Sequence, residues 1–151
     1  MQQDPPPRLL GLDIGNRRIG VAVSDELGLT AQPVLTLVRK KPRDDLRSLA
    51  RLVRKYGCRE IIVGNPLNLS GEQGRQAEKT QAFAQMLANE TKLPVHLWDE
   101  RLTTAEAHSI LYRSGHLRAE HRNIVDQVAA TIILQGFLDA RHTPKSEELS
   151  S

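Results

Sequence analysis

The stretch Leu9-Leu10-Gly11-Leu12-Asp13-Ile14-Gly15-Asn16-Arg17-Arg18-Ile19-Gly20-Val21-Ala22-Val23-Ser24 holds two short apolar runs joined by a Gly-Asn turn. Runs of this length on either side of such a turn read as a β-hairpin. Asp25 to Leu29, with Gly28, makes a second turn, and Pro33 to Val38 reads as a third strand, with Val34, Thr36 and Val38 alternating against Leu35 and Leu37. Proline has no N–H to give a central ladder, so Pro33 places the start of that strand at a sheet edge.

From Asp44 the period changes. Leu46, Leu49, Ala50, Val53 and Tyr56 recur at helical spacing, with Asp44 or Asp45 at the N-terminal end and Gly57 as the C-cap. Ile61-Ile62-Val63-Gly64 is an unbroken apolar run suited to a strand buried on both faces. The segment Gly64 to Gly74 is rich in turn formers, a helix follows from about Arg75 to Thr91, and Pro94 to Glu100 reads as the fifth strand. Thr103 and Glu106 form a capping-box pattern for a helix that Ser114-Gly115 ends, and a last helix runs from about Asn123 to Ala140. Three strands that pair antiparallel, followed by strands linked through a parallel right-handed crossover, predict an α/β domain with a mixed five-stranded sheet flanked by helices. The expected boundaries are a disordered segment over 1–8, one domain over 9–140 and a flexible polar tail over 141–151.

With 151 residues, 39% hydrophobic and 26% charged, the chain suffices for one domain with a real core and not for two large lobes. Aromatic residues make up only 3%, too few for a base-stacking platform. The single cysteine, Cys58, has no partner for an internal disulfide, and no metal-ligand spacing joins it to His96, His108, His116, His121 or His142. Met1 to Pro7 carries no apolar run, so a soluble cytoplasmic protein without membrane attachment is expected.

Three acidic positions stand out, each on a different element. Asp13 interrupts an apolar strand; it either caps the turn at Gly15 or is a buried carboxylate that needs a partner. Asp99-Glu100 ends the fifth strand, where either alternation sends the two side chains to opposite faces or one of them has already left the strand, and either could pair with Arg101 instead. Asp126 shares a helical stripe with Ala129, Ala130, Ile133 and Phe137; it is either an inward carboxylate or a helix-start aspartate favoured by the macrodipole. Converging carboxylates repel unless cations neutralise them, and oxygen-only ligands favour Mg²⁺ or Mn²⁺ over zinc. Such ions activate water and stabilise the leaving oxygen in phosphodiester hydrolysis.

Taken in order, Leu10 to Gly15, Arg18 to Ser24, Ile61 to Gly64 with Pro66 and Gly71, Asp99 to Thr104, and Val125-Asp126 with Ala129, Ala130 and Ile132 to Leu134 resemble the YqgF/RuvX family over roughly Leu9 to Leu138. The resemblance implies an RNase H-like fold related to the RuvC resolvases, a Mg²⁺-dependent nuclease site and a bacterial cytoplasmic setting. It further implies maturation of the 5′ end of 16S rRNA from its precursor, with Holliday-junction resolution as an older alternative. On this sequence Asp13, Glu100 and Asp126 match the family's acidic positions as catalytic and metal-ligating residues, with Asp99 as substitute for Glu100. Asn16 and Asn65 depart from the family's usual residues without touching a carboxylate.

Between Arg39 and Arg59 nine basic residues face two acidic ones, Asp44 and Asp45, or three if Glu60 is added, so the net charge of +3 conceals a strongly basic segment. Arg47, Arg51, Arg54 and Lys55 fall on one helical side, suited to phosphate contacts that position nucleic acid without reading its sequence; otherwise the face is simply solvated. Arg75, at a helix start, and Arg101, beside the acidic pair, are further candidates. The expected partner is structured RNA, such as precursor 16S rRNA, or branched DNA, bound by a monomer or homodimer. Two other readings remain: a non-catalytic ribosome-assembly factor, and an ATPase, since Asp13-Ile14-Gly15 followed by Ile19-Gly20 also resembles the phosphate-binding hairpin of actin-like proteins. Those proteins close two such domains around ATP, and this chain has room for one.

Overall fold

In a computed structural model that describes residues 7–66, 74–99 and 122–142, the opening stretch forms β1 (Arg8–Ile14) and β2 (Arg18–Ser24). The Gly15 N–H closes their turn by donating to the Arg18 carbonyl at 2.9 Å. Then come β3 (Ala31–Val38), α1 (Pro42–Tyr56), β4 (Cys58–Asn65), α2 (Arg75–Thr91), β5 (Val95–Asp99) and α3 (Arg122–His142). The five strands lie in the order β3-β2-β1-β4-β5. The β1/β2 and β2/β3 pairs are antiparallel, β1/β4 and β4/β5 parallel, and Pro33 sits on an edge strand as expected.

Several boundaries move, each because a distant group catches the chain. The third strand starts at Ala31 rather than Pro33, since the Ala31 N–H donates to Gln135 Oε1 on α3 at 2.8 Å. The helix expected from Asp44 starts at Pro42, whose fixed φ suits the first helical position. Asp45 Oδ1 then accepts the Lys40 N–H at 2.9 Å, and Gly57 ends the helix in the left-handed region at φ 63°. The last helix continues past Ala140 to His142, where Arg141 is held by Glu60 and the His142 ring lies 2.9 Å from the Gly28 carbonyl oxygen. The capping-box helix from Thr103 and most of the Gly64–Gly74 segment lie outside the described residues.

Strand alternation divides the sheet into two faces. Leu10, Leu12, Ile14, Ile19, Val21, Val23, Ile61 and Val63 pack against α1 and α2, where Leu49, Val53, Phe83 and Leu87 complete the larger core. Leu9, Ala22 and Ile62 pack on the other side against Ala130, Ile133, Leu134 and Leu138 of α3. Each fully buried aliphatic side chain contributes roughly 1.5–3 kcal/mol, which fixes strand register because a slip by one residue would exchange the faces. The α3 axis comes unusually close to the sheet at two glycines. A Cβ on Gly11 would lie 2.7 Å from Leu134 Cβ, and one on Gly20 would collide with the Asp126 carbonyl.

Candidate functional site

Asp13 and Gly20 are cross-strand partners, so they share a sheet face, and that face is the one covered by α3. Asp126, in the first part of α3, lies with its main chain directly over Gly20. The carboxylate residues from β1 and α3 therefore flank the same glycine at the end of the sheet where β1, β4 and β5 terminate. Asp13 is half-buried and partnered, and Asp126 Oδ2 accepts a hydrogen bond from Arg18 Nε at 2.6 Å. The Arg18 and Asp126 side chains are 27% and 18% exposed, so this pair is shielded more than a surface ion pair. Beside it, Gly15, Asn16, Arg17, Arg18 and Asp126 line an open depression of about 360 Å³.

The hairpin turn is held by a second arginine. Arg39 donates through one terminal nitrogen to the Gly15 carbonyl at 2.9 Å and through Nε to Asp45 Oδ2 at 3.2 Å. Its guanidinium lies 4.9 Å from the centre of the Phe83 ring, so one side chain ties the turn to the start of α1 and to the core. The roles of Arg18 and Arg39 escape a reading of the sequence, in which an arginine at either end of a strand looks solvent-facing.

In β5, His96 and Trp98 contact Phe137 on the α3 face, whereas Val95 packs into the core on the α1/α2 face. By alternation Asp99 shares the Val95 face and so stands across the sheet from Asp13 and Asp126. Asp99 pairs in register with buried Asn65, whose Oδ1 has no hydrogen-bond partner among the described residues. Glu100 and Arg101 lie outside the described residues, and among those described no group of three or more His, Cys, Asp or Glu side chains is placed to hold a metal. Cys58 is buried at the start of β4, and burial pushes its thiol up to about 11, with a weaker opposing pull from Arg8. At neutral pH the thiol is therefore protonated and packs as a small apolar side chain.

The basic side of α1 is split by height. Arg47 and Arg51 join Thr36, Leu37, Val38, Lys40, Asp44, Asp45 and Ser48 around a groove of about 570 Å³ between β3 and the first half of the helix. Arg54 and Lys55 stand in the last turn, with Lys55 beside the Tyr56 ring. At 1.5 Å rise per residue they lie about 10–12 Å further along the axis than Arg47. Arg75 is exposed at the first position of α2, at the same end of the sheet as Asp13, where Gln76 approaches the Ile14 carbonyl at 3.5 Å. No described helix is long and apolar enough to cross a membrane.

This architecture is the RNase H-like fold of RuvC-type resolvases. Thermus thermophilus RuvC, in complex with a Holliday junction substrate, superposes with a TM-score of 0.56 at 16% identity, covering 90% of this chain and 96% of that one. The fowlpox virus resolvase in complex with junction DNA gives 0.53 at 14% identity, covering 90% and 99%. The RuvX family model, described as a Holliday junction resolvase, matches residues 7–140, and the chain belongs to that family. By family and fold it is a nuclease. Among curated relatives, proteins from Clostridium novyi and Moorella thermoacetica bear the name "Putative pre-16S rRNA nuclease". They are 47% and 51% identical over 133 and 132 residues, covering 88% and 87% of this chain and 98% and 94% of theirs.

Proposed function

We propose that this nuclease is a divalent-cation-dependent endonuclease that hydrolyses phosphodiester bonds in structured RNA in the cytoplasm, with the 5′ end of precursor 16S rRNA as its target. The observation that carries the reading is the placement of Asp13 and Asp126 on one sheet face around Gly20. Their donor set is oxygen only, which fits a hard cation such as Mg²⁺ or Mn²⁺, and Glu100 is the third acidic ligand in this reading. Asp99 is the less favoured of the adjacent pair, because alternation along β5 puts it on the face opposite His96 and Trp98. Bound there, the cation would supply Lewis-acid activation of water and stabilisation of the leaving oxygen.

The protein's own groups do the positioning. Arg39 fixes the hairpin turn through the Gly15 carbonyl, and the close seat of α3 on Gly20 fixes the Asp126 main chain. Lys40, Arg47 and Arg51 offer phosphate contacts along the β3–α1 groove, and Arg75 adds one at the start of α2. These contacts read charge and shape, as suits a chain that is only 3% aromatic.

The deciding experiment compares cleavage of precursor 16S rRNA and a synthetic four-way DNA junction by the wild type and Asp13→Asn, with Mg²⁺, Mn²⁺ or a chelator. Site-specific cutting of the RNA, stopped by chelator and abolished by Asp13→Asn with RNA binding retained, is expected. Undiminished Mg²⁺-dependent cutting by Asp13→Asn would remove the acidic site from the mechanism. Symmetric cutting of the junction by a dimer, with the RNA left intact, would return the function to the resolvases whose fold the chain shares. Metal-independent binding with no cleavage of either substrate would point to an assembly factor.

A further inference from the structure

The Asp126 carboxylate is engaged by a cation the protein itself carries. Arg18 Nε donates to Asp126 Oδ2 at 2.6 Å, a short charge-assisted bond between half-buried groups. The two partners differ in freedom. The Asp126 main chain is seated on Gly20 and has no room to retreat towards the sheet. Arg18 is the first residue of β2, and its long side chain lines, with Gly15, Asn16, Arg17 and Asp126, the open depression beside the pair. The backbone that carries Asp126 is thus fixed, whereas the long Arg18 side chain borders open space.

We propose that Arg18 is a built-in counter-ion that competes with the divalent cation for Asp126, so that cation binding and the Arg18–Asp126 ion pair exclude one another. The proposal rests on the reading of Asp126 as a cation ligand. A guanidinium at 2.6 Å from Oδ2 occupies the space a second cation would need, and like charges that close repel. While the pair is made, Arg18 relieves the repulsion between carboxylates gathered around Gly20 and leaves Asp126 paired. When a divalent ion takes the carboxylate, the Arg18 side chain would swing away from Asp126 into the solvent over the open depression. Arg18 is accordingly a positioning residue that sets cation affinity through Asp126.

The test is direct Mn²⁺ binding, by calorimetry and by loss of the free-ion paramagnetic signal, to wild type, Arg18→Gln, Arg18→Lys and Arg17→Gln, without nucleic acid. Arg17→Gln removes the same charge from the same turn but leaves the ion pair. Arg18→Gln is expected to bind Mn²⁺ about tenfold more tightly than the wild type, the size of one released charge-assisted hydrogen bond. Arg17→Gln should change affinity by less than about twofold, and Arg18→Lys should fall between wild type and Arg18→Gln. Melting temperature gives an opposed readout: Arg18→Gln should melt below the wild type without Mn²⁺ and gain more on its addition.

Equal or weaker Mn²⁺ binding by Arg18→Gln, or an equal gain in Arg17→Gln, overturns the competition while leaving the cation-dependent site in place. Absence of Mn²⁺ binding in every variant overturns both the competition and the metal reading. Binding by Arg18→Gln alone supports both. Should Arg18→Gln fail to fold, the comparison of Arg18→Lys with Arg17→Gln decides in the same direction.

Discussion

Gly20 on β2 and Asp126 on α3 meet main chain to main chain: a Cβ on Gly20 would collide with the Asp126 carbonyl and lie 3.0 Å from its Cβ. The glycine is therefore required for the approach of α3 rather than for a turn. Gly20→Ala should lift the start of α3 and cost about 1–3 kcal/mol, the usual penalty for overpacking. It should also lower cleavage about 10²-fold, because displacing a ligand-bearing main chain by about 1 Å misplaces the chemistry. Gly11→Ala meets Leu134 and the Ala130 carbonyl two turns further along α3, so it should cost similar stability with a smaller loss of cleavage. Urea unfolding followed by the fluorescence of Trp98, the sole tryptophan, together with single-turnover cleavage, separates the two effects. Equal activity loss in both variants would show that Gly20 has no special relation to the site.

At the other end of α3, Arg141 binds Glu60 of β4 through two parallel hydrogen bonds of 2.8 and 2.9 Å, and His96 lies 3.0 Å from the same carboxylate. The Arg141 hydrogen bonds hold the Glu60 carboxyl below its ordinary value of 4.5; burial opposes them, and His96 adds to the lowering. Because the folded value lies below the unfolded one, the contribution to stability is complete above about pH 4.5 and is lost as pH falls through the folded value. Glu60→Gln should remove that part of the acid sensitivity and lower neutral-pH stability by about 1 kcal/mol, since Arg141 is 39% exposed and solvent screens the pair. Urea midpoints for wild type and Glu60→Gln should converge as pH falls below the ordinary carboxyl value of 4.5. A difference that stays constant as pH falls below that value would rule out the lowered carboxyl.

What was legible in the sequence was what acts locally. The Gly-Asn turn, the alternation through Ser24, the helical spacing after Asp44 and the edge-placing Pro33 all appear in the structure in the expected order. Asp13 showed itself as a carboxylate among aliphatic residues, whereas Asp126 read either as an inward carboxylate or as a helix-start aspartate. The Arg18–Asp126 pair joins positions 108 residues apart, and no local period encodes such a contact. The same applies to Glu60 and Arg141, 81 residues apart, which carry α3 beyond Ala140. The helical projection of α1 grouped Arg47, Arg51, Arg54 and Lys55 because it reports azimuth and discards height. Only the register of α1 against β3 shows which of them share a groove.

That difference in height yields a prediction about salt. Removing a side chain that neutralises one phosphate should lower the slope of log affinity against log salt by about 0.7 for single strands and about 0.9 for duplex. Arg47 and Arg51 line the groove with Lys40, whereas Arg54 and Lys55 stand in the last turn of α1, away from it. Arg47→Gln combined with Arg51→Gln should therefore reduce the slope for structured RNA by about 1.5, and Arg54→Gln with Lys55→Gln by less than about 0.5. Both double variants carry the same charge change, so a purely global electrostatic effect would shift them equally. Filter binding or fluorescence anisotropy over a salt series, using Asp13→Asn to prevent cleavage, measures both slopes. Equal slopes for the two double variants would remove the preference for the β3–α1 groove, and a larger reduction for the Arg54/Lys55 pair would move the path away from it.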